Sequence, residues 1–288
     1  MAGIVVIFDF DSTIIECDSD NWVLDHYGLT EKFYQQLQNT PWNPLMDQTM
    51  KELHSQGKSM EEIVQVLKRT PMHPHIVPAI EAAYSLGCDL KIVSDANIFF
   101  INTILKHHGV RDRFSEIITN PSFIDEQGRL RIFPYHDYLQ SSHGCNLCPP
   151  NMCKGKIIER IQKCIAEEGN KKIIYLGDGS GDFCPSLKLK DTDSLMPRKN
   201  FALSDLVSKN SNRVKAEVHD WTDGEELRQV LLRIINTHQE EANKSSSEED
   251  SSTPIMAVDC KMVGPITPID APKNLPRQAI PVPPLTSR

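Results

Sequence analysis

The stretch Ile4-Val5-Val6-Ile7-Phe8-Asp9-Phe10-Asp11-Ser12-Thr13 decides the fold. Five apolar residues, mostly β-branched, run directly into two aspartates. An unbroken apolar run of this length reads as a strand buried on both faces, the pattern of a parallel sheet. In open α/β sheets, ligands bind beyond the carboxyl ends of the strands. Asp9 and Asp11 therefore stand at a candidate site on a rigid base. Taken alone, the ten residues also fit a strand ending in a solvated acidic turn.

The rest of the chain repeats the pattern. Residues 88–93 read as a second strand ending in Ser94-Asp95, residues 116–119 as a short third, and residues 171–176 as a fourth. The fourth runs into Gly177-Asp178-Gly179-Ser180-Gly181-Asp182. Leu195 and Met196 mark a fifth strand and residues 214–218 a further short one. Helices are expected over 76–86, 98–108, 154–166, 201–207 and 225–238, the first two stopped by Gly87 and Gly109. Residues 123–133 alternate around a glycine-containing turn and read as a hairpin. Strands alternating with helices imply an α/β fold with a doubly wound parallel sheet.

No strand pattern occurs between residues 20 and 71. Apolar residues recur there at helical spacing, with Pro41 and Pro44 as breaks and Ser59 as the N-cap of a helix over 60–67. This segment reads as a small helical cap inserted after the first strand. The catalytic core is then residues 1–19 and 72–241, and the cap residues 20–71. Residues 242–288 hold 8 of the 19 prolines and no aromatic residue. Such a tail buries too little apolar surface to offset its ordering entropy, and is expected to be disordered.

Bulk properties exclude several classes. The chain has 288 residues, 39% hydrophobic, with 31 basic and 39 acidic residues and a net charge of -8. No basic stripe marks a nucleic-acid partner. No apolar run reaches the roughly 18 residues that span a bilayer, and no basic segment precedes the first strand as in a signal peptide. With no address legible, the cytoplasm is the default, and the eight cysteines are read as reduced by default. The oligomeric state is not readable.

Three strands thus end in acids: Asp9 with Asp11, Asp95, and Asp178 with Asp182. Lys154 and Lys156 open a helix just before the fourth strand. In a parallel sheet these ends converge on one edge. Crowded carboxylates repel and would protonate unless a cation sits among them. A hard divalent ion with oxygen ligands, Mg²⁺, resolves the conflict, with Asp9 and Asp178 as direct ligands and a backbone carbonyl near Asp11 as another. Mg²⁺ also takes phosphate oxygens, which points to phosphoryl chemistry on a small phosphorylated substrate. Ser94, Lys154 and backbone N–H groups near Asp11 are suited to the remaining phosphate oxygens. An aspartate can attack phosphorus directly, and a second aspartate two residues on can handle the proton of the leaving oxygen.

Asp9-Phe10-Asp11-Ser12-Thr13, Ser94-Asp95, Lys154-Gly155 and Gly177-Asp178-Gly179-Ser180-Gly181-Asp182 resemble the four ordered motifs of the haloacid dehalogenase superfamily of phosphatases, over residues 4–238. Asp18-Ser19-Asp20-Asn21-Trp22, Val93-Ser94-Asp95-Ala96-Asn97 and the stretch from His143 to Lys154 resemble the phosphoethanolamine/phosphocholine phosphatase subfamily. The chain is most similar to plant members labelled inorganic pyrophosphatases. The resemblance implies Asp9 as nucleophile and Mg²⁺ ligand, and Asp11 as proton donor and backbone ligand. It implies Asp178 as the third protein ligand, Asp20 and Asp95 as substrate contacts, and Asp182 in support.

Asp20 lies at the entry to the insert, where a carboxylate suits an ammonium group. Trp22, Tyr27, Phe33, Tyr34 and Trp42 are candidates for a cation–π wall beside it, or form the core of the insert. Choline and ethanolamine monoesters fit such a pocket better than pyrophosphate, which calls for more Lys or Arg. Strict pyrophosphatase activity is the alternative on the same site. A non-enzymatic domain phosphorylated on aspartate is the remoter one. Cys145, Cys148 and Cys153, with His143 nearby, leave three readings open: free thiols in a loop, a Zn²⁺ site, or a redox-sensitive disulfide.

Overall fold

The computed structural model describes residues 3–246 apart from 139, 140, 168 and 170, with the side chains of 242–246 left out. Strand β1 (Ile4–Phe8) is buried at every position, as its unbroken apolar run requires. Ile4, Val6 and Phe8 face one apolar layer, and Val5 and Ile7 face the other.

Four helices follow β1: α1 (Ser19–His26), α2 (Thr30–Leu37), α3 (Trp42–Ser55) and α4 (Met60–Leu67). Then come α5 (Ile76–Ser85), β2 (Asp89–Asn97), α6 (Ile98–His107) and β3 (Phe114–Asn120). A hairpin of β4 (Ser122–Ile124) and β5 (Leu130–Ile132) precedes α7 (Lys154–Glu167) and β6 (Lys172–Gly177). The chain continues through the short α8 (Phe183–Ser186), β7 (Ser194–Pro197), α9 (Ala202–Lys209), β8 (Glu217–Val218) and α10 (Gly224–Ser246).

The main sheet is six-stranded and parallel, in the order β3-β2-β1-β6-β7-β8. Val5 pairs with Asp89 of β2 on one side and with Ile173 of β6 on the other. The chain therefore winds outward in both directions from β1, which places the switch point between the carboxyl ends of β1 and β6. Ile80 of α5, Ile101 of α6 and Leu231 of α10 pack with Val6 and Phe8 on one face. Ile157 and Ile161 of α7 and Leu203 of α9 pack with Val5 and Ile7 on the other. Each such buried side chain contributes roughly 1.5–3 kcal/mol.

The segment after β1 is helical throughout. Ser59 caps α4 through a reciprocal pair: Glu62 N donates to Ser59 Oγ at 3.2 Å, and Ser59 N donates to Glu62 Oε2 at 2.8 Å. Leu24, Phe33, Leu45, Met46 and Leu67 join the same apolar cluster as Phe8. The hairpin holds α3 from outside: Arg131 Nε donates to Asp47 Oδ1 at 2.8 Å, and Ile132 N donates to the same oxygen at 3.0 Å.

Some element boundaries differ from those read in sequence. Pro44 does not break a helix, because it lies in the first turn of α3, where a missing N–H costs no intrahelical bond. Strand β2 runs on to Asn97, with its pairing to β3 irregular between Val93 and Asn97. Ser94 and Asp95 thus sit within an irregular strand end, a device that re-aims side chains. The last helix continues to Ser246, so residues 242–246 of the expected tail are helical. The disorder expected from residue 247 onward lies outside the described residues. No helix among the described residues is long and apolar enough to cross a membrane.

Candidate active site

Asp9 follows β1 directly, and its backbone N–H continues the ladder by donating to Leu176 O at 2.9 Å. The next residues turn tightly: Phe10 O accepts from Thr13, Ile14 and Ile15, at 2.8 Å from Ile14 N. Ser12 holds a left-handed φ of 52°, a conformation that a non-glycine residue keeps only when its surroundings enforce it. Arg198 does so here. Its Nη1 donates to Ser12 O at 2.7 Å and its Nη2 pairs with Glu16. The guanidinium also lies over the rings of Phe201 and Trp221.

The turn and the strand ends gather the acids around one buried cation. Lys154, the first residue of α7, is 3% exposed. Its Nζ lies 2.7 Å from Asp9 Oδ2, 2.8 Å from Asp182 Oδ1 and 3.9 Å from Asp95 Oδ1. Burial opposes its charge, but Asp182 and Asp9 outweigh this and raise its pKa further.

Asp182 is fully buried and its carboxylate is fully engaged. Oδ1 accepts from Lys154 and, at 2.6 Å, from the Tyr175 hydroxyl. Oδ2 accepts from Asp178 N at 3.2 Å and Gly179 N at 3.0 Å. Asp9 accepts from Phe10 N at 2.7 Å, and Asp178 from Thr13 Oγ1 at 3.2 Å. Carboxylate oxygens of Asp9, Asp178 and Asp182 lie within 4.8 Å of one another. With Asp182 spent on four donors, Asp9 and Asp178 are the two that keep capacity for another partner. Burial, then repulsion from Asp182, raises Asp9 well above the usual carboxylate range and Asp178 to about 7. An all-oxygen set strained in this way suits a hard cation.

Asp11 stands apart from Lys154. Its carboxylate accepts from Ser19 N at 3.1 Å and Ser19 Oγ at 3.2 Å, at the start of α1. Burial, then Asp18 and Asp20, pushes its pKa well up. Ser94 is fully buried and its Oγ accepts from Ala96 N at 3.3 Å. Asp95 is exposed, while its backbone carbonyl accepts from Asn120 Nδ2 at 2.5 Å.

Asp20 is buried in the first turn of α1. Its Oδ2 accepts from Trp42 Nε1 at 2.7 Å and its Oδ1 from Asn97 Nδ2 at 3.4 Å. Burial and Asp18 raise it to about 7. Of the five aromatics proposed for a wall, Trp42 is the one bonded to Asp20. Phe33 lies in the core, and Trp22 is tied to Val66 O at 3.0 Å. Tyr27 sits under Lys58, and Tyr34 packs edge-on against Trp42.

Sequence reasoning missed Thr13, Ser19, Asn97, Tyr175 and Arg198 as supports of the acids. Thr13, Ser19 and Asn97 lie inside the quoted motifs. Tyr175 reads only as an apolar strand residue, and Arg198 is far along the chain. The cysteines among the described residues are free thiols. His143 is not directed at its neighbouring thiols: its Nε2 lies 2.8 Å from Pro149 O and its Nδ1 accepts from Cys145 N at 3.1 Å.

A family model described as "Putative Phosphatase" matches residues 4–235. Inorganic pyrophosphatase 2 of Arabidopsis thaliana is 55% identical over 276 residues, covering 95% of this chain and 98% of its own. A thiamine phosphate phosphatase-like protein of the same plant is 50% identical over 252 residues, covering 87% of this chain and 100% of its own. Among solved structures, a phosphoserine phosphatase carrying a phospho-aspartyl intermediate analogue superposes with a TM-score of 0.52 at 17% identity. That match covers 80% of this chain and 97% of the other, and is a likeness of fold.

Proposed function

The chain belongs to the haloacid dehalogenase-type phosphatases, and we propose that it hydrolyses small phosphate esters through an aspartyl-phosphate on Asp9. The observation that carries this reading is the Asp9 carboxylate at the end of β1, 2.7 Å from the buried ammonium of Lys154. Lys154 steadies Asp9 and offers positive charge to the incoming phosphoryl oxygens. A carboxylate oxygen of Asp9 attacks phosphorus as the bond to the leaving oxygen breaks. Asp11, whose pKa burial and its acidic neighbours raise, gives its proton to that oxygen. Water then attacks the phosphorus of the aspartyl-phosphate, Asp11 takes the water's proton, and phosphate leaves with the Asp9 carboxylate restored. Ser94 and Asp95 are assigned to the substrate side of the pocket.

Mg²⁺ fits the donor chemistry. Asp9, Asp178 and the Asp11 backbone carbonyl would hold it, and when bound it supplies positive charge to the phosphoryl oxygens. Asp182 supports the set by fixing Lys154 and the amides of Asp178 and Gly179.

The favoured substrates are phosphocholine and phosphoethanolamine. Asp20 supports this preference: it is a buried carboxylate bonded to Trp42 and Asn97, with Asp18 and Asp95 adding negative charge around it. Such surroundings favour an ammonium over a second phosphate. Pyrophosphate is the second reading, favoured by the name of the 55% identical plant relative.

Phosphate release from phosphocholine, phosphoethanolamine, pyrophosphate and pyridoxal phosphate, with Mg²⁺ and with Asp9→Asn as blank, tests both levels. Preference for the amino-alcohol esters supports the role of Asp20. Preference for pyrophosphate overturns that role and leaves the Asp9 chemistry standing. Turnover retained by a folded Asp9→Asn protein overturns the mechanism.

A further inference from the structure

The thiols of Cys145, Cys148, Cys153 and Cys184 lie within 4.8 Å of one another. They come from two separate stretches, the loop before α7 and the short helix α8. Cys145 Sγ and Cys184 Sγ are 3.6 Å apart. That is too long for a disulfide of about 2.05 Å. It is close to the roughly 3.8 Å between two sulfurs placed tetrahedrally at a zinc–sulfur distance of about 2.3 Å. We propose that these four cysteines bind one structural Zn²⁺.

The start of α7 lies against the sulfurs. Cys153 is the residue immediately before α7, and Cys184 packs against its first turn at Gly155. In that turn N–H groups have no intrahelical acceptor and the helix dipole favours an anion. Gly155 is needed for this approach, since a Cβ there would lie 2.4 Å from Cys184 Sγ. Four thiolates without a cation would repel one another, and one divalent ion removes the conflict. Sulfur ligands select zinc over the hard cation suited to the carboxylates, so the two sites take different metals. Four protein ligands leave no open position, which makes this a structural centre. His143 spends both ring nitrogens on its own loop and is no ligand.

The position of the centre gives it a task. Cys153 immediately precedes Lys154, and Cys184 lies just beyond Asp182. One ion therefore joins the two chain segments that carry the 2.8 Å Lys154–Asp182 pair. The zinc is a positioning device for that pair.

Elemental analysis of the full chain, purified without a histidine tag, tests the proposal. The expected result is about one zinc per chain, retained in His143→Ala and reduced about tenfold or more in Cys184→Ser. Should Cys184→Ser fail to fold, the unmodified protein still decides the question. Expressed with Co²⁺ it should show the visible bands and sulfur-to-cobalt charge transfer of a tetrahedral thiolate site. Its four thiols should resist alkylation until a strong chelator removes the ion. Substoichiometric zinc with freely reacting thiols, iron in place of zinc, or a disulfide mass among the four would each overturn it.

Discussion

Lys154 Nζ and Asp182 Oδ1 lie 2.8 Å apart, with both side chains shut off from solvent. Asp182 is also the acceptor for Tyr175 and for two amides of the β6–α8 loop. Asp182→Asn removes one of the two close counter-charges of a buried ammonium and sets an amide N–H₂ against donors. A loss of about 3–5 kcal/mol is expected in urea denaturation, with a large fall in phosphate release. Tyr175→Phe removes one hydrogen bond and should cost only about 1 kcal/mol.

The last residue of β6, Gly177, has no room for a side chain. A Cβ on Gly177 would meet Asp182 Cγ at 2.5 Å, whereas one on Gly179 would have its nearest neighbour at 3.8 Å. Gly177→Ala should lower stability by about 1–3 kcal/mol and reduce turnover by displacing Asp182. Gly179→Ala, at a φ of -91°, should leave the urea midpoint nearly unchanged.

The Asp20 carboxyl, raised to about 7 by burial and Asp18, changes charge within the working pH range. If it receives an ammonium, kcat/KM for phosphocholine relative to pyridoxal phosphate should rise about tenfold as pH increases through that value. In Asp20→Asn the ratio should be flat with pH. The stability effect has the opposite sign. A carboxyl whose folded pKa exceeds its unfolded value of about 3.9 stabilises below the latter, and that stability is lost as pH rises through the folded value. Asp20→Asn should therefore lose less stability than the parent between about pH 4 and 7.

At Asp47 burial acts to raise the pKa, but the Arg131 and Lys51 bonds and the Ile132 N–H outweigh it, and the net shift is downward. The pair stabilises above the unfolded value of about 3.9, and that contribution is lost as pH falls through the folded value. Arg131→Ala should cost about 1 kcal/mol at neutral pH after allowance for solvent screening, with the difference vanishing in acid. Thermal unfolding of both proteins from pH 7 to pH 3 checks this.

What the sequence alone determined is local. Five apolar residues before Asp9, the apolar run before Asp178, glycines after helices and the Ser59–Glu62 cap are each set by neighbouring residues. Periodicity and turn chemistry act over that same range. The strand-end rule then places Asp9, Asp11, Asp95 and Asp178 on one sheet edge without any coordinates. The tertiary structure decided which distant groups meet. Trp42 reaches Asp20, Asn97 reaches it from the end of β2, Tyr175 turns its hydroxyl to Asp182, and Arg198 crosses the chain to hold Ser12. Cys184 completes a sulfur cluster whose other members lie before α7. Trp42 is a sequence candidate beside Asp20 and Asn97 lies in a quoted motif. Neither their bonds to Asp20 nor the roles of Tyr175, Arg198 and Cys184 carry a local signature, because a contact between remote residues depends on strand order and on the angle at which helices pack. Those are fixed only when the two apolar layers close around β1.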